Sequence, residues 1–230
     1  MSLLRKLMNL FGGTPASGDV RDRRRSLAGL GRNLRGQPRQ VEYFHQVDDP
    51  DSHLACQTLQ EFGQRHEVHL TIHLVAPSPG QTGADREPLM AQARIDASVA
   101  ANRLGLSFHD PGTQPTAQNC RRASEILAAN LAFDQFCTLA PRVGKALWQD
   151  DTDAILDLSN EFATASEEEV FADCERGSAR RAKLGEDRSA TFYFEGEWYR
   201  CVDGLRALED RLREDGARRD TPTEPTLPTR

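Results

Sequence analysis

The chain has 230 residues, of which 38% are hydrophobic and 28% are charged, and its formal net charge is -6. This mixture is typical of one globular domain and excludes collagen-like and fully disordered chains. No window contains the ~20 continuous apolar residues that a membrane-spanning helix needs, so we expect no transmembrane segment.

The charge is distributed unevenly. Residues 1–40 carry nine arginines and lysines against two aspartates, so the rest of the chain is acidic. We predict a basic, flexible N-terminal arm over residues 1–39 and a disordered, proline-rich tail over residues 216–230. The arm would contact an anionic partner, or it is a solvated leader that folds back on the acidic body. The first residues lack the apolar run of a secretory signal, which predicts a cytoplasmic protein.

A strand, a helix and a second strand come first. β-Branched and aromatic residues predict a strand over 41–47, and alternation predicts another over 68–75. Between them, Pro50 suits the first turn of a helix whose buried stripe is Ala55, Leu59 and Phe62. Such a unit has parallel strands and a right-handed crossover.

A helical region follows, over about residues 84–186. Its predicted buried stripes are Ala91, Ile95 and Val99; Ala123, Ile126, Leu127 and Leu131; and Phe136, Ala140, Val143 and Leu147. Pro141 should kink or interrupt the third stripe, and Ser166 opens a capping box. Residues 189–194 and 197–202 then predict a β-hairpin, and Asp203 is expected to cap a last helix that buries Leu205, Leu208 and Leu212.

Five cysteines occur without any Cys-x-x-Cys pair, which predicts free thiols rather than a zinc ribbon or a disulfide framework. Five histidines lie within a short stretch: His45, His53, His66, His69 and His73. With Asp49 or Asp51 they could hold a metal ion or act as general bases, or they are half-buried and hydrogen-bonded. We predict no metal site.

From about Gln40 to Asp215 the chain resembles DsbA-type thioredoxin-fold proteins, in the branch of 2-hydroxychromene-2-carboxylate isomerases and kappa-class glutathione transferases. The likeness is carried by the order of elements, by Asp49-Pro-Asp-Ser-His-Leu-Ala55 against a family pattern of Ser-Pro-Tyr-Ser-Tyr-Leu-Ala, and by Gly196-Glu-Trp-Tyr with Val202-Asp-Gly-Leu205. It implies an α/β thioredoxin fold with a large helical insertion between the βαβ unit and a C-terminal hairpin and helix. Some relatives join two such units, so a second thioredoxin-like unit or another protein is a candidate partner.

The resemblance also implies a site at the N-terminus of the first helix, where backbone amides stabilise an anion. Asp49 and Ser52 stand where redox members have cysteines, so dithiol exchange is excluded there. The helix start should favour the carboxylate form of Asp49, which would repel a glutathione thiolate. Ala190 falls at the expected cis-proline, which predicts a trans bond and a differently shaped loop.

These departures predict a degenerate, non-redox binding module. The alternative is a glutathione-dependent isomerase or transferase, in which Ser52 polarises the thiol and Asp49 is the second catalytic residue. Its substrate would contact a set of residues around the helix tip: Pro50, His53, Ala190, Thr191 and Trp198. Simple capping of the helix by Asp49 and Ser52, with Trp198 filling the hairpin, is the structural alternative.

Overall fold

The computed structural model describes residues 36–78 and 86–217, together with Arg25, Gly29, Arg32 and Leu34. Contacts divide the chain into two units, of which the first ends at Pro38 and the second begins at Arg39. The predicted arm and proline-rich tail therefore lie almost wholly outside the described residues. Among the described residues, no helix is both long enough and apolar enough to cross a bilayer.

A four-stranded sheet forms the centre of the second unit, in the order β2-β1-β3-β4. β1 pairs with β2 in parallel and with β3 antiparallel, and β3 pairs antiparallel with β4. Glu195 and Gly196 connect β3 to β4 with φ angles of 47° and 90°, as a tight two-residue hairpin turn requires. The strands are β1 (Gln40–His45), β2 (His69–Leu74), β3 (Thr191–Phe194) and β4 (Glu197–Arg200).

Eight helices surround this sheet in the part of the chain that is described. α1 follows β1 directly, five helices form the predicted insertion between β2 and β3, and the last helix follows β4. Their bounds are α1 (Pro50–Cys56), α2 (Leu59–Arg65), α3 (Arg86–Leu104), α4 (Ala117–Leu127), α5 (Phe133–Trp148), α6 (Thr152–Glu161), α7 (Glu167–Leu184) and α8 (Cys201–Glu214). This order confirms the predicted βαβ unit, helical insertion, hairpin and closing helix.

The two faces of the sheet bury different residues. On one face Tyr43 stacks on Phe192 with ring centroids 4.7 Å apart, and its hydroxyl donates to the carbonyl oxygen of Ser52 in α1. On the other face Glu42 receives two hydrogen bonds from Arg180 of α7, at 2.7 and 2.6 Å. Consequently α1 and α7 lie on opposite sides of β1.

The predicted buried stripe of α3 is wrong. Ile95 and Val99 are 54% and 64% exposed. The buried residues are instead Met90, Arg94, Ala97 and Ala101. Ala97 and Ala101 cluster with Leu54 of α1, because short side chains let two helices approach closely.

Three helix boundaries also differ from the sequence prediction. The first predicted helix is divided into α1 and α2, where the hydroxyl of Thr58 donates to the carbonyl oxygen of Ala55 at 2.7 Å. Pro141 does not interrupt α5, because packing of the buried residues of this helix outweighs the missing backbone bond. α8 begins at Cys201, so Asp203 lies in its first turn rather than at its cap.

Candidate functional site

The tip of α1 is closed by a cap made of two side chains. Pro50 occupies the first helical position, and Oδ2 of Asp49 accepts hydrogen bonds from the backbone N–H of Ser52 at 2.9 Å and from its hydroxyl at 2.8 Å. The hydroxyl oxygen of Ser52 in turn accepts the backbone N–H of Gln46 at 3.2 Å. Ser52 is completely buried, so its hydroxyl both donates and accepts within the protein.

The carboxyl group of Asp49 is held largely away from water. Burial, reinforced by the nearby charge of Asp51, raises the pKa of Asp49 from 3.8 to about 7, against the opposing hydrogen bonds from Ser52. Burial also raises the pKa of Asp51. The expectation that the helix start favours the Asp49 carboxylate is therefore wrong, because desolvation outweighs the cap.

The loop before β3 adopts an unusual backbone at Ala190, whose φ is 52°. All peptide bonds of the described residues are trans. The carbonyl oxygen of Ala190 accepts the backbone N–H of Cys201 at 2.8 Å, and the hydroxyl of Thr191 donates to the carbonyl oxygen of Arg188 at 3.2 Å. Both Ala190 and Thr191 are completely buried.

Cys201 joins this loop to the tip of α1. Besides its backbone bond to Ala190, its thiol donates to Oδ2 of Asp51 at 3.2 Å. Burial, the charge of Asp51 and this hydrogen bond raise the pKa of the Cys201 thiol. Sequence reasoning missed this role, since it depends on a left-handed φ of 55° at Cys201 that no local signal predicts.

Arg181 of α7 brings a buried positive charge into the electrostatic neighbourhood of Asp49. One guanidinium nitrogen, Nη2, donates to the carbonyl oxygen of Ala76 at 3.1 Å, while Nε and Nη1 have no hydrogen-bond partner among the residues that the structure describes. Burial lowers the pKa of Arg181, and the charges of Asp187, Glu186 and Asp49 oppose that shift. Sequence reasoning did not identify this residue either.

Two residues of the predicted set point elsewhere. The ring of His53 lies 6.2 Å from that of Phe108, and its Nδ1 packs against Gly144 of α5. Burial lowers the pKa of His53 to about 4. The ring of Trp198 is tilted against that of Tyr193, with centroids 4.9 Å apart, on the face of the sheet that α7 covers. Its indole N–H donates to the carbonyl oxygen of Leu184 at 3.4 Å.

The histidines are spread over separate environments. His45 Nδ1 lies 3.1 Å from the hydroxyl of Tyr43, and burial lowers the pKa of His45 to about 3. His73 lies on the opposite face, with Nε2 3.0 Å from Glu42 Oε2. Among residues 36–78 and 86–217, no group of three or more histidines, cysteines and acids is arranged to hold a metal ion.

Comparison with solved structures finds proteins of similar fold, whereas comparison of sequences finds no match. No protein-family model matches the chain, and no curated protein sequence matches it. The structure of 2-hydroxychromene-2-carboxylate isomerase superposes with a TM-score of 0.54 at 17% identity, over 76% of this chain and 95% of the isomerase chain. A candidate protein disulfide isomerase from Nitrosomonas europaea superposes with a TM-score of 0.50 at 12% identity, over 77% and 98% of the two chains. Together with the strand order, these likenesses show that the protein has the DsbA-type thioredoxin fold.

Proposed function

We propose that this protein is a non-redox binding module, in which the catalytic helix tip of the thioredoxin fold has become a structural cap. The observation that carries the proposal is the burial and hydrogen bonding of the Ser52 side chain. Its side chain is fully buried, and its hydroxyl donates to Asp49 and accepts from Gln46. A hydroxyl group that already donates one hydrogen bond and accepts another inside the protein is not available to polarise an external thiol.

The thiols support the same proposal. All five cysteines are free, and position 49 and position 52 carry no sulfur. Cys201 is the thiol bonded to this tip, and its raised pKa disfavours the thiolate that disulfide exchange needs. Free thiols also support a cytoplasmic location, where cysteines stay reduced.

A glutathione-dependent isomerase or transferase is the second candidate, with kappa-class glutathione transferases as its analogues. One observation favours it: Asp49, with a pKa of about 7, lies 2.8 Å from the Ser52 hydroxyl and could take its proton near neutral pH. This reading requires the loop at Ala190 to open, because Ser52, Ala190 and Thr191 have no exposed surface.

A titration with reduced glutathione separates the two candidates. The full chain, labelled with ¹⁵N, is followed through the amide resonances of Ser52 and Thr191 as millimolar glutathione is added. We expect no saturable shift at either amide, and no reduction of insulin in a parallel assay. The first expectation follows from the buried cap, and the second from the lack of sulfur at positions 49 and 52.

Saturable shifts at Ser52 and Thr191 would contradict the binding-module proposal if the variant Ser52→Ala abolished them. Ser159→Ala is the matched control, because Ser159 also donates its hydroxyl within the protein, to the carbonyl oxygen of Ile155 at 2.9 Å. Shifts that survive in Ser159→Ala and vanish in Ser52→Ala would show that Ser52 takes part in binding glutathione, and would favour the enzyme candidate.

A further inference from the structure

Two adjacent arginines of α7 lie in opposite electrostatic environments. Arg180 pairs with Glu42 through Nε and Nη2, at 2.7 and 2.6 Å. Arg181 is only 4% exposed, and it donates to an uncharged group, the carbonyl oxygen of Ala76. In the described part of the chain its Nε and Nη1 are shielded from water and have no partner. A charge buried in this way is costly unless a counter-ion neutralises it.

Three acidic residues act on Arg181 from a distance. They are Asp187, Glu186 and Asp49, and none of them is hydrogen-bonded to the guanidinium group. Glu186 pairs instead with Arg200 at 2.7 Å, and Asp187 is exposed, so that water screens its charge. Asp49, with a pKa of about 7, is uncharged in slightly acidic solution. Under those conditions the charge of Arg181 has no ionised partner in contact with it.

The side chain of Gln46 supplies an acceptor at the same end of the sheet. β1 and β2 end side by side, one residue before Gln46 and two before Ala76. By strand alternation Gln46 follows Glu42 on the face that α7 covers. Its Nε2 donates to Asp48 at 2.9 Å, whereas its buried Oε1 has no partner among the described residues. In open α/β sheets, ligands bind beyond the carboxyl ends of parallel strands, which is where both side chains lie.

These two side chains differ in the hydrogen bonds that they still need. The guanidinium group of Arg181 has N–H groups to donate, and the amide oxygen of Gln46 can only accept. A phosphate group that keeps one proton meets both requirements, because its charged oxygens accept from arginine and its O–H donates to an amide oxygen. Sulfate has the same tetrahedral shape and no O–H group, so it cannot donate to Gln46.

We propose that Arg181 and Gln46 bind the phosphate group of a small ligand at the carboxyl ends of β1 and β2. The ligand is inorganic phosphate or a phosphate monoester, which share this group. The inference rests on the proposed binding function and gives it a class of ligand. The site lies on the face of the sheet that α7 covers, whereas Ser52 belongs to α1 on the opposite face.

Inorganic phosphate is the probe, added to the full chain at pH ~6 with sodium chloride of equal ionic strength as the reference. We expect a Kd of about 1 mM, and a rise in Tm of about 3–6 °C at ~20 mM phosphate. Sulfate should bind at least about fivefold more weakly, since it cannot donate a hydrogen bond. In protein labelled with ¹⁵N-arginine, the Nε resonance of Arg181 should shift with saturation.

Methyl phosphate distinguishes the two sources of the group. Affinity equal to or higher than that of inorganic phosphate would identify a monoester as the ligand. Binding at least about tenfold weaker would identify free phosphate, because the site would then exclude the ester carbon. Either result supports the proposed phosphate site.

The variant Arg181→Met should abolish the response to phosphate. It also removes a buried charge that lacks a counter-ion, so the Tm without phosphate should rise by about 2–5 °C. Arg180→Met is the matched control from the same helix. It leaves Glu42 without its bidentate partner, so its Tm should fall while the response to phosphate stays unchanged.

No saturation with phosphate, equal affinity for sulfate, or a response that persists in Arg181→Met would overturn the proposal. The Nε resonance of Arg181 in the wild type decides the question even where the variant does not fold: a saturable shift supports the site, and an unshifted resonance refutes it. The glutathione titration reads Ser52 and Thr191, so either proposal can fail without the other.

Discussion

The hydroxyl oxygen of Ser52 lies 2.8 Å from Oδ2 of Asp49, inside the protein rather than at its surface. Two side chains of the same helical turn are therefore hydrogen-bonded to each other at the tip of α1. The tip is therefore expected to influence stability, and the influence should depend on pH because the carboxyl group of Asp49 is buried.

The substitution Asp49→Asn should stabilise the protein at alkaline pH. The folded-state pKa of Asp49 is raised from 3.8 to about 7, so the folded protein retains a proton that the unfolded chain releases. The free energy of unfolding consequently falls as pH rises from about 4 to about 7, by about 2–4 kcal/mol for this group. Asparagine can keep the cap without a charge, so the variant should gain stability at pH ~8 and gain none at pH ~4.

Urea denaturation at the two pH values measures this effect. Asp151→Asn is the matched control, because Asp151 is an exposed carboxyl group that caps α6 through the N–H of Ala154 at 2.9 Å. A gain for Asp49→Asn that is the same at both pH values would show that the buried charge is not its cause.

His53→Leu should reduce the acid sensitivity of the protein. Burial lowers the folded-state pKa of His53 from 6.5 to about 4, so its stabilising contribution is present above pH ~6.5 and is lost as pH falls through about 4. The wild type should lose about 2–3 kcal/mol more than the variant across this window. Thermal unfolding at pH ~7 and pH ~4.5 tests this prediction. The control is His69→Leu, because His69 is exposed. If the wild type and His53→Leu lost the same free energy of unfolding between the two pH values, the lowered pKa of His53 would not be the cause of the acid sensitivity.

Gly177→Ala should destabilise the contact between α7 and β2. A Cβ atom at Gly177 would lie 2.0 Å from the backbone carbonyl oxygen of Leu74, which cannot rotate away. We expect a loss of about 2–4 kcal/mol, because strand and helix must separate. Ala179→Gly, at an exposed site two residues later in the same helix, should cost about 1 kcal/mol or less. An equally small loss at Gly177 would mean that α7 moves freely relative to β2.

Much of the fold could be predicted from the sequence, because apolar residues recur at regular spacing along strands and helices that bury one face. The predicted stripes of α5 and α8 are buried, including Val143 and Leu208. The stripe of α3 could not be predicted, because small residues and a buried Arg94 form its inner face. Asp49 and Ser52 are three residues apart and were recognisable as a cap, whereas the contact between Cys201 and Asp51 joins residues 150 positions apart.

Ala190→Pro should be strongly destabilising. Proline fixes φ near −65°, whereas Ala190 has a φ of 52° and no exposed surface. The expected loss is about 3 kcal/mol or more, while Ala190→Gly should remain within about 1 kcal/mol because glycine adopts positive φ without strain. A thermal melt of both variants checks the prediction. Stabilisation by proline would show that the loop can adopt a backbone with a φ near −65° at residue 190.

Deletion of residues 1–38 should leave the second unit folded. Contacts divide the chain after Pro38, and Arg39 belongs to the body: its Nε lies 2.8 Å from Oδ2 of Asp215, and its carbonyl oxygen accepts the N–H of His69 at 2.7 Å. We expect the Tm of the truncated chain to stay within about 2 °C of the wild type.

Arg39→Met in the full chain should lower the Tm by about 2–4 °C, because it removes a partly buried ion pair but keeps the apolar stem. Arg65→Met is the control, since Arg65 is 53% exposed and pairs with the exposed Glu61. Differential scanning calorimetry of the truncated chain, Arg39→Met and Arg65→Met, each compared with the wild type, distinguishes the outcomes. A fall of many degrees on deletion of residues 1–38 would mean that the basic arm contributes to the stability of the acidic body, and would favour the folded-back leader over an arm that awaits an anionic partner.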